Sequence, residues 1–180
     1  HLGHSFPTRR SSDLTKLGKS AAKMPQYLDL VALGTYADVA SLDHNNRILV
    51  DAGVKRIQQN QCRAGISALL DIAARDPAEL KASDLGFVLG PRLNAAGRME
   101  TMDIGIECLL ATDTQTAHAL ARQLNDLNLE RRQVESEIKQ EALAALENLQ
   151  LDQDHLPAAL VMFEEHWHQG VIRSAERRVG

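Results

Sequence analysis

Arg92, Asn94 and Arg98 fall within eleven residues, LGPRLNAAGRM (89–99), with glycine, alanine and leucine between them. Two guanidiniums and an amide among small neighbours can let backbone close in on a phosphate and grip it with forked hydrogen bonds. An Arg–Asp pair pinning two helices fits the same residues equally well. Gly90-Pro91 makes the stretch read as a tight turn. Asp38 is the second candidate. In VALGTYADVASL it stands between Ala37 and Val39, and an acid among apolar neighbours calls for a partner. A metal ligand or acid/base is the functional reading; a helix cap or Asx-turn is the structural one, and spacing alone favours the latter.

Other polar groups point more weakly to chemistry. His166 and His168 flank Trp167 in EEHWHQGV, with His155 upstream. An HxH pair without third and fourth ligands is better read as a polar loop than as zinc. Asp43 and His44 look like an acid–base pair but sit where a helix N-cap is due. NLERRQVESE, a charge run of both signs, reads as a solvated face with i,i+4 pairs. Cys62 and Cys108 have no CxxC spacing and read as buried thiols of a cytosolic protein. No phosphate-cradling glycine loop or nucleophile elbow occurs.

The elements that must hold these residues are mostly helical. MPQYLDLVALG has Pro25 just inside a start and Gly34 past an end, marking a short helix, with a buried strand as alternative. NNRILVDAGVKRIQ predicts a helix capped by Asn45 or Asn46, and GISALLDIAARD one ending before Pro77. SDLGFVLG predicts a short helix from Ser83 that closes near Gly90, and DIGIECLLAT one capped by Asp103. From Thr114 to Leu149 there is no Gly or Pro, and apolar residues recur at helical spacing. One helix of that length spans about 50 Å at 1.5 Å per residue, a strut between two domains; two helices broken near Asn125–Asn128 are the alternative. AALVMF (158–163) reads as a buried strand.

Aromatics make up 3% of the chain, so a core must come from Leu, Ala, Ile and Val. Apolar runs are too short to span a bilayer, and the start lacks a signal-peptide apolar region. The ends, HSFPTRRSSDL and RSAERRVG, back-translate to opposite strands of one oligonucleotide, departing from it only at Ala175. That oligonucleotide resembles a sequencing adapter, so 1–14 and 173–180 are set aside as non-native. The whole chain carries 20 Lys and Arg against 24 Asp and Glu, a net charge of −4. The ends hold five of those arginines and two of the acids, so the middle is more acidic still. An anion site here must be local.

Taken in order, YLDLVALGTYADVASLDHNNRILV, SDLGFVLGPRLNAAGRM, LNLERRQVE and HWHQGV resemble the RecJ family, single-stranded-DNA-specific 5′→3′ exonucleases of the DHH phosphoesterase superfamily. GTxAD is shared across the superfamily, whereas GPRLNAAGR is specific to the RecJ branch. The resemblance implies a predominantly α-helical fragment of an α/β parent. It places the C-terminal part of a DHH catalytic domain at 15–112, a connecting helix at 113–150 and the first strand of a second, DHHA1-type domain within 151–172. It implies hydrolysis of single-stranded DNA on two Mn²⁺ or Mg²⁺ ions, in repair and recombination. It further implies a cytoplasmic monomer, no membrane, and single-stranded-DNA-binding protein as partner.

By position, Asp38 then matches a metal-binding carboxylate. Arg92, Asn94 and Arg98 match a loop facing the DNA phosphates, and His168 and Gly170 the opening motif of the second domain. The family's Asp-x-Asp, next Asp and Asp-His-His motifs are absent; LDHN (42–45) lies on the wrong side of Asp38 to be the last. One carboxylate cannot hold two divalent ions, so the chain as written is expected to be inactive. It is also expected to aggregate, or to stay loosely helical, with apolar faces uncovered. A non-catalytic helical adaptor or nucleic-acid-binding module, and a DHH-type phosphodiesterase for short oligonucleotides, are the competing readings.

Overall fold

A computed structural model describes residues 21–148 and 161–176, and among these every regular element is helical. A 3₁₀ stretch, Ala21–Tyr27, leads into α1 (Leu28–Ala37), so the helical reading of this apolar run holds and the strand alternative does not. α2 (His44–Gln58) begins at Asp43, whose carboxylate accepts the Asn46 N–H at 2.8 Å. The cap is therefore Asp43 rather than Asn45 or Asn46. Lys55 and Arg56 fill its last turn, where cations complement the helix dipole. α1 and α2 cross at Gly53, where a Cβ would stand 2.6 Å from that of Ala32 and press on the Leu28 carbonyl. Only glycine allows that approach.

α3 (Ala64–Ile72) ends through Ala74, at φ 51°, with the Arg75 N–H returning to the Leu70 carbonyl. The next stretch departs from expectation. Ala82–Asp84 leads into a π-helical turn, Leu85–Leu89, which runs directly into α4 (Gly90–Met99). Gly90-Pro91 closes nothing. Pro91 lacks an N–H and its ring would strike a carbonyl one turn back; the widened turn makes room, with the Gly90 N–H bonding Leu85 instead. LGPRLNAAGRM is thus a helix, not a turn.

α5 (Asp103–Leu110) carries Asp103 in its first turn, behind the N-cap Met102. α6 (Thr114–Asn148) is one unbroken helix of 35 residues. Ala117, Ala121, Leu124 and Leu127 bury its first half against α3, α4 and α5. The core is aliphatic, centred on Ile57, Ile66, Leu69, Leu70, Leu85, Leu89 and Leu124. Cys108 is buried in it, but Cys62 is only half-buried.

α7 (Gln169–Glu176) closes the described chain and packs on α4 and α6. The expected strand is not formed where it is described: 161–164 has no regular structure, with Val161 and Phe163 exposed. A strand needs a neighbour to pair with, and none stands beside it among the described residues. Residues 158–160, His155, and the end segments 1–14 and 177–180 lie outside the described residues. No described helix is long and apolar enough to cross a membrane.

Candidate nucleic-acid interface

Helix geometry separates the three residues of the LGPRLNAAGRM stretch. At about 100° per residue, Asn94 and Arg98 share one face of α4, whereas Arg92 points about 120–160° away from both. They do not form one forked grip.

Arg92 faces α6. Its Nε donates to Asn125 Oδ1 at 3.2 Å and its Nη1 to the Val88 carbonyl at 2.7 Å. The partner that ties two helices together is therefore a neutral amide, not an aspartate. Burial lowers the Arg92 pKa, and the positive charges of Arg132 and Arg75 lower it further. Arg132 lies two turns beyond Asn125 along α6, on the same face. Asn128, between them, is almost wholly buried, and its Oδ1 finds no hydrogen-bond donor.

Arg98 faces α7. Its Nη1 donates to the Gly170 carbonyl at 3.3 Å. A Cβ on Gly170 would press on the Arg98 carbonyl, so glycine is what lets α7 dock here. His168 is exposed, and its carbonyl accepts the N–H groups of Val171 and Ile172 at the start of α7. Its neighbours are engaged elsewhere. Glu141 Oε2 accepts Trp167 Nε1 at 2.7 Å and pairs with His166 Nε2 at 2.8 Å. Those two bonds hold the Glu141 carboxyl below its ordinary pKa. The structure thus gathers Arg98, His168 and Gly170 at the C-terminal end of α4, one turn beyond Asn94, and joins Arg92 to Asn125 near its start.

Asp38 is not buried. It is exposed at the C-terminal end of α1, before Val39 at φ 53°, and its carboxylate has no partner among the described residues. It sits past the helix end, not at an N-cap. The preceding Ala37 packs on α4: its Cβ is 3.4 Å from where a Cβ on Gly90 would stand. This contact brings the α1 terminus beside the first turn of α4. Among the described residues, no three His, Cys, Asp or Glu side chains come together in a way that could hold a metal ion. The described residues do not make a two-metal site.

No family model matches the chain. Individual proteins do. The single-stranded-DNA-specific exonuclease RecJ of Dickeya dadantii is 49% identical over 162 residues, 90% of this chain and 28% of that protein. RecJ of Escherichia coli is 49% identical over 156 residues, 87% of this chain and 27% of that protein. The crystal structure of RecJ from Thermus thermophilus in complex with Mg²⁺ superposes with a TM-score of 0.76 at 31% identity. That match covers 92% of this chain and 25% of the other. The same protein with Mn²⁺ also superposes at 0.76.

The chain has the sequence and fold of a RecJ segment. It spans just over a quarter of the length of these two RecJ relatives.

Several residues that shape this RecJ-type segment were missed in the sequence. Asn125 and Asn128 lie beside the apolar stripe of the single helix α6 and mark buried polar contacts, where the sequence suggested a break only as the alternative. Arg131 and Glu135 form an i,i+4 pair at 2.8 Å, as expected of this charge run, and Glu130, Arg132 and Gln133 are exposed, but Arg131 itself is only 13% exposed. Arg75, Arg132 and Glu141 carry no local signal; they matter through residues distant in sequence.

Proposed function

We propose that the chain is the helical middle of a single-stranded-DNA-specific 5′→3′ exonuclease of the DHH type. In this reading α1–α5 are the C-terminal part of an α/β catalytic domain, α6 connects it to a second α/β domain, and α7 belongs to the start of that domain. The parent works in DNA repair and recombination as a cytoplasmic monomer, with single-stranded-DNA-binding protein as a partner.

The observation that carries the reading is Arg92. In an acidic chain, a half-buried guanidinium is bonded to a neutral amide and a carbonyl, and the charges acting on it most are two further arginines. Clustered cations of this kind suit the phosphates of a nucleic-acid strand, which fix a strand's position without reading its sequence. Asn94 and Arg98 extend the polar surface along the other face of α4, towards His168 and Gly170.

Asp38 is the one carboxylate assigned to the parent's Mn²⁺ or Mg²⁺ centre. Its exposed, unpartnered carboxylate beside the start of α4 supports that role. The other ligands are not among the described residues, so the chain alone is assigned no nuclease activity.

The test is Asp38→Asn in the longer protein, with release of nucleotides from 5′-labelled single-stranded DNA as the readout. The loss expected exceeds the about 10–100-fold typical of groups that only support a metal ligand. Near-unchanged degradation would favour the non-catalytic adaptor.

A further inference from the structure

We infer that the cavity between the start of α1 and the end of α2 is an oxyanion site, fitted to a phosphate group and held by Arg56 and Arg63. It measures about 280 Å³ and is lined by Gln26, Tyr27, Asp29, Arg56, Gln61 and Cys62 together with Arg63.

Asp29 is fully committed. It is 1% exposed, and its Oδ1 accepts the Leu30 N–H at 2.8 Å while its Oδ2 accepts the Arg63 N–H at 3.0 Å. It balances one charge, that of Arg63, whose Nε stands 3.6 Å away, beyond hydrogen-bond reach. Arg63 lies over the Tyr27 ring, 5.1 Å from its centroid, which fixes the guanidinium plane. Arg56 spends its Nη2 on the Gln61 carbonyl at 2.9 Å.

Both Nε hydrogens are left over. Arg56 Nε and Arg63 Nε are each buried without an acceptor. A buried charged donor without an acceptor is costly, and the two side chains that carry these donors line one cavity, which marks it as a place where an acceptor belongs. The balance of charge says what kind. Among the lining residues two guanidiniums face one carboxylate, an excess of one positive charge; Asp71 is the next carboxylate and acts on Cys62 less than Asp29 does. Cys62 adds no negative charge, because burial and the nearby Asp29 push its pKa up and keep the thiol protonated. The side-chain amides of Gln26 and Gln61 make no hydrogen bond among the described residues and can donate from the rim. An acceptor-rich anion with several oxygens satisfies this set, and phosphate accepts from guanidinium forks in this way. The site lies at the opposite end of α1 from Asp38.

The test titrates the chain with inorganic phosphate against chloride at constant ionic strength. It follows the Nε–H resonances of Arg56 and Arg63 and the midpoint of thermal unfolding. Both resonances are expected to shift saturably, and the midpoint to rise, with phosphate only. Arg56→Gln is expected to weaken binding about tenfold or more. Arg63→Gln is avoided because it strands Asp29. Should Arg56→Gln unfold, Gln26→Ala with Gln61→Ala tests the rim and is expected to weaken binding severalfold. A parallel titration with oligothymidylate separates the sources: the same shifts mean nucleic-acid phosphate, and shifts with inorganic phosphate alone mean a free oxyanion. Resonances that respond to phosphate no more than to chloride overturn the proposal. So does undiminished binding in a folded Arg56→Gln chain, which would leave an adventitious ion only.

Discussion

Asn125 accepts the Nε hydrogen of Arg92 at 3.2 Å, joining the first turn of α4 to the middle of α6. An amide here keeps Arg92 in place without cancelling its charge. A carboxylate would hold it more strongly and neutralise it.

Asn125→Asp therefore separates stability from binding. A charge-assisted bond is stronger than a neutral one, so the midpoint of thermal unfolding is expected to rise. Affinity for single-stranded DNA is expected to fall. The slope of log affinity against log salt is expected to shrink by about 0.7, one phosphate contact on a single strand. Asn125→Ala leaves Arg92 Nε without its partner and is expected to cost about 1–3 kcal/mol in chemical denaturation. Tighter DNA binding by Asn125→Asp would contradict the role given to Arg92.

Two glycines of neighbouring helices should respond in opposite directions. Gly34 in α1 has open space where a Cβ would point. Gly34→Ala is expected to stabilise the fold by about 0.5–1 kcal/mol through helix propensity. Gly53 meets the Leu28 carbonyl and Ala32 at the α1–α2 crossing. Gly53→Ala must push the helices apart and is expected to cost about 1–3 kcal/mol or more. Urea unfolding of both variants checks the pair; equal effects would mean that the crossing is looser than described.

Trp167 is the chain's one tryptophan and reports on the contact between α6 and the segment before α7. Its indole N–H and His166 both bond Glu141, whose carboxyl is held below its ordinary pKa, first by the Trp167 bond and then by His166. A depressed folded-state pKa means the contact is at full strength above the ordinary glutamate value, about 4.3, and is lost as pH falls through the lower folded value. Trp167 emission is expected to shift red below about pH 4.3 in the native chain. In Glu141→Gln, which keeps an acceptor but cannot titrate, that transition should be absent. A midpoint above the ordinary glutamate range would show that another group controls the contact.

The parts of this fold legible in sequence are those governed by local rules. The α6 stripe at 117, 120, 124 and 127 specifies a helix through its spacing, and the Asp43 region marks a cap because short polar side chains satisfy free N–H groups. Gly90-Pro91 misleads because a π-helical turn absorbs the proline, and that turn depends on Leu85 packing in the core rather than on the dipeptide. The reading of Arg92, Asn94 and Arg98 as one cluster failed with it: on a turn they could converge, whereas on a helix they diverge. Glu141 and Trp167 meet across 26 positions, a distance no local pattern spans. Periodicity does not single out the polar positions on α4 and before α7; only the motif resemblance names them, and it carries no information on their contacts.

Asp38 leads to the last prediction, which concerns the chain by itself. Its carboxylate is exposed at the end of α1, and no described group of three potential ligands surrounds it or forms elsewhere. A lone carboxylate binds Mn²⁺ or Mg²⁺ weakly, because both ions require several oxygen ligands at fixed geometry, and two-metal hydrolysis requires a second ion a few ångströms away. The purified chain is therefore expected to release no nucleotides from single-stranded DNA with either metal. Asp38→Ala should leave that background unchanged. The Arg92 surface needs no metal, so retention of single-stranded DNA in the presence of a chelator is expected. Metal-dependent degradation that disappears in Asp38→Ala would mean that the chain assembles a working centre on its own. Loss of DNA retention in chelator would mean that the arginines are not its docking surface.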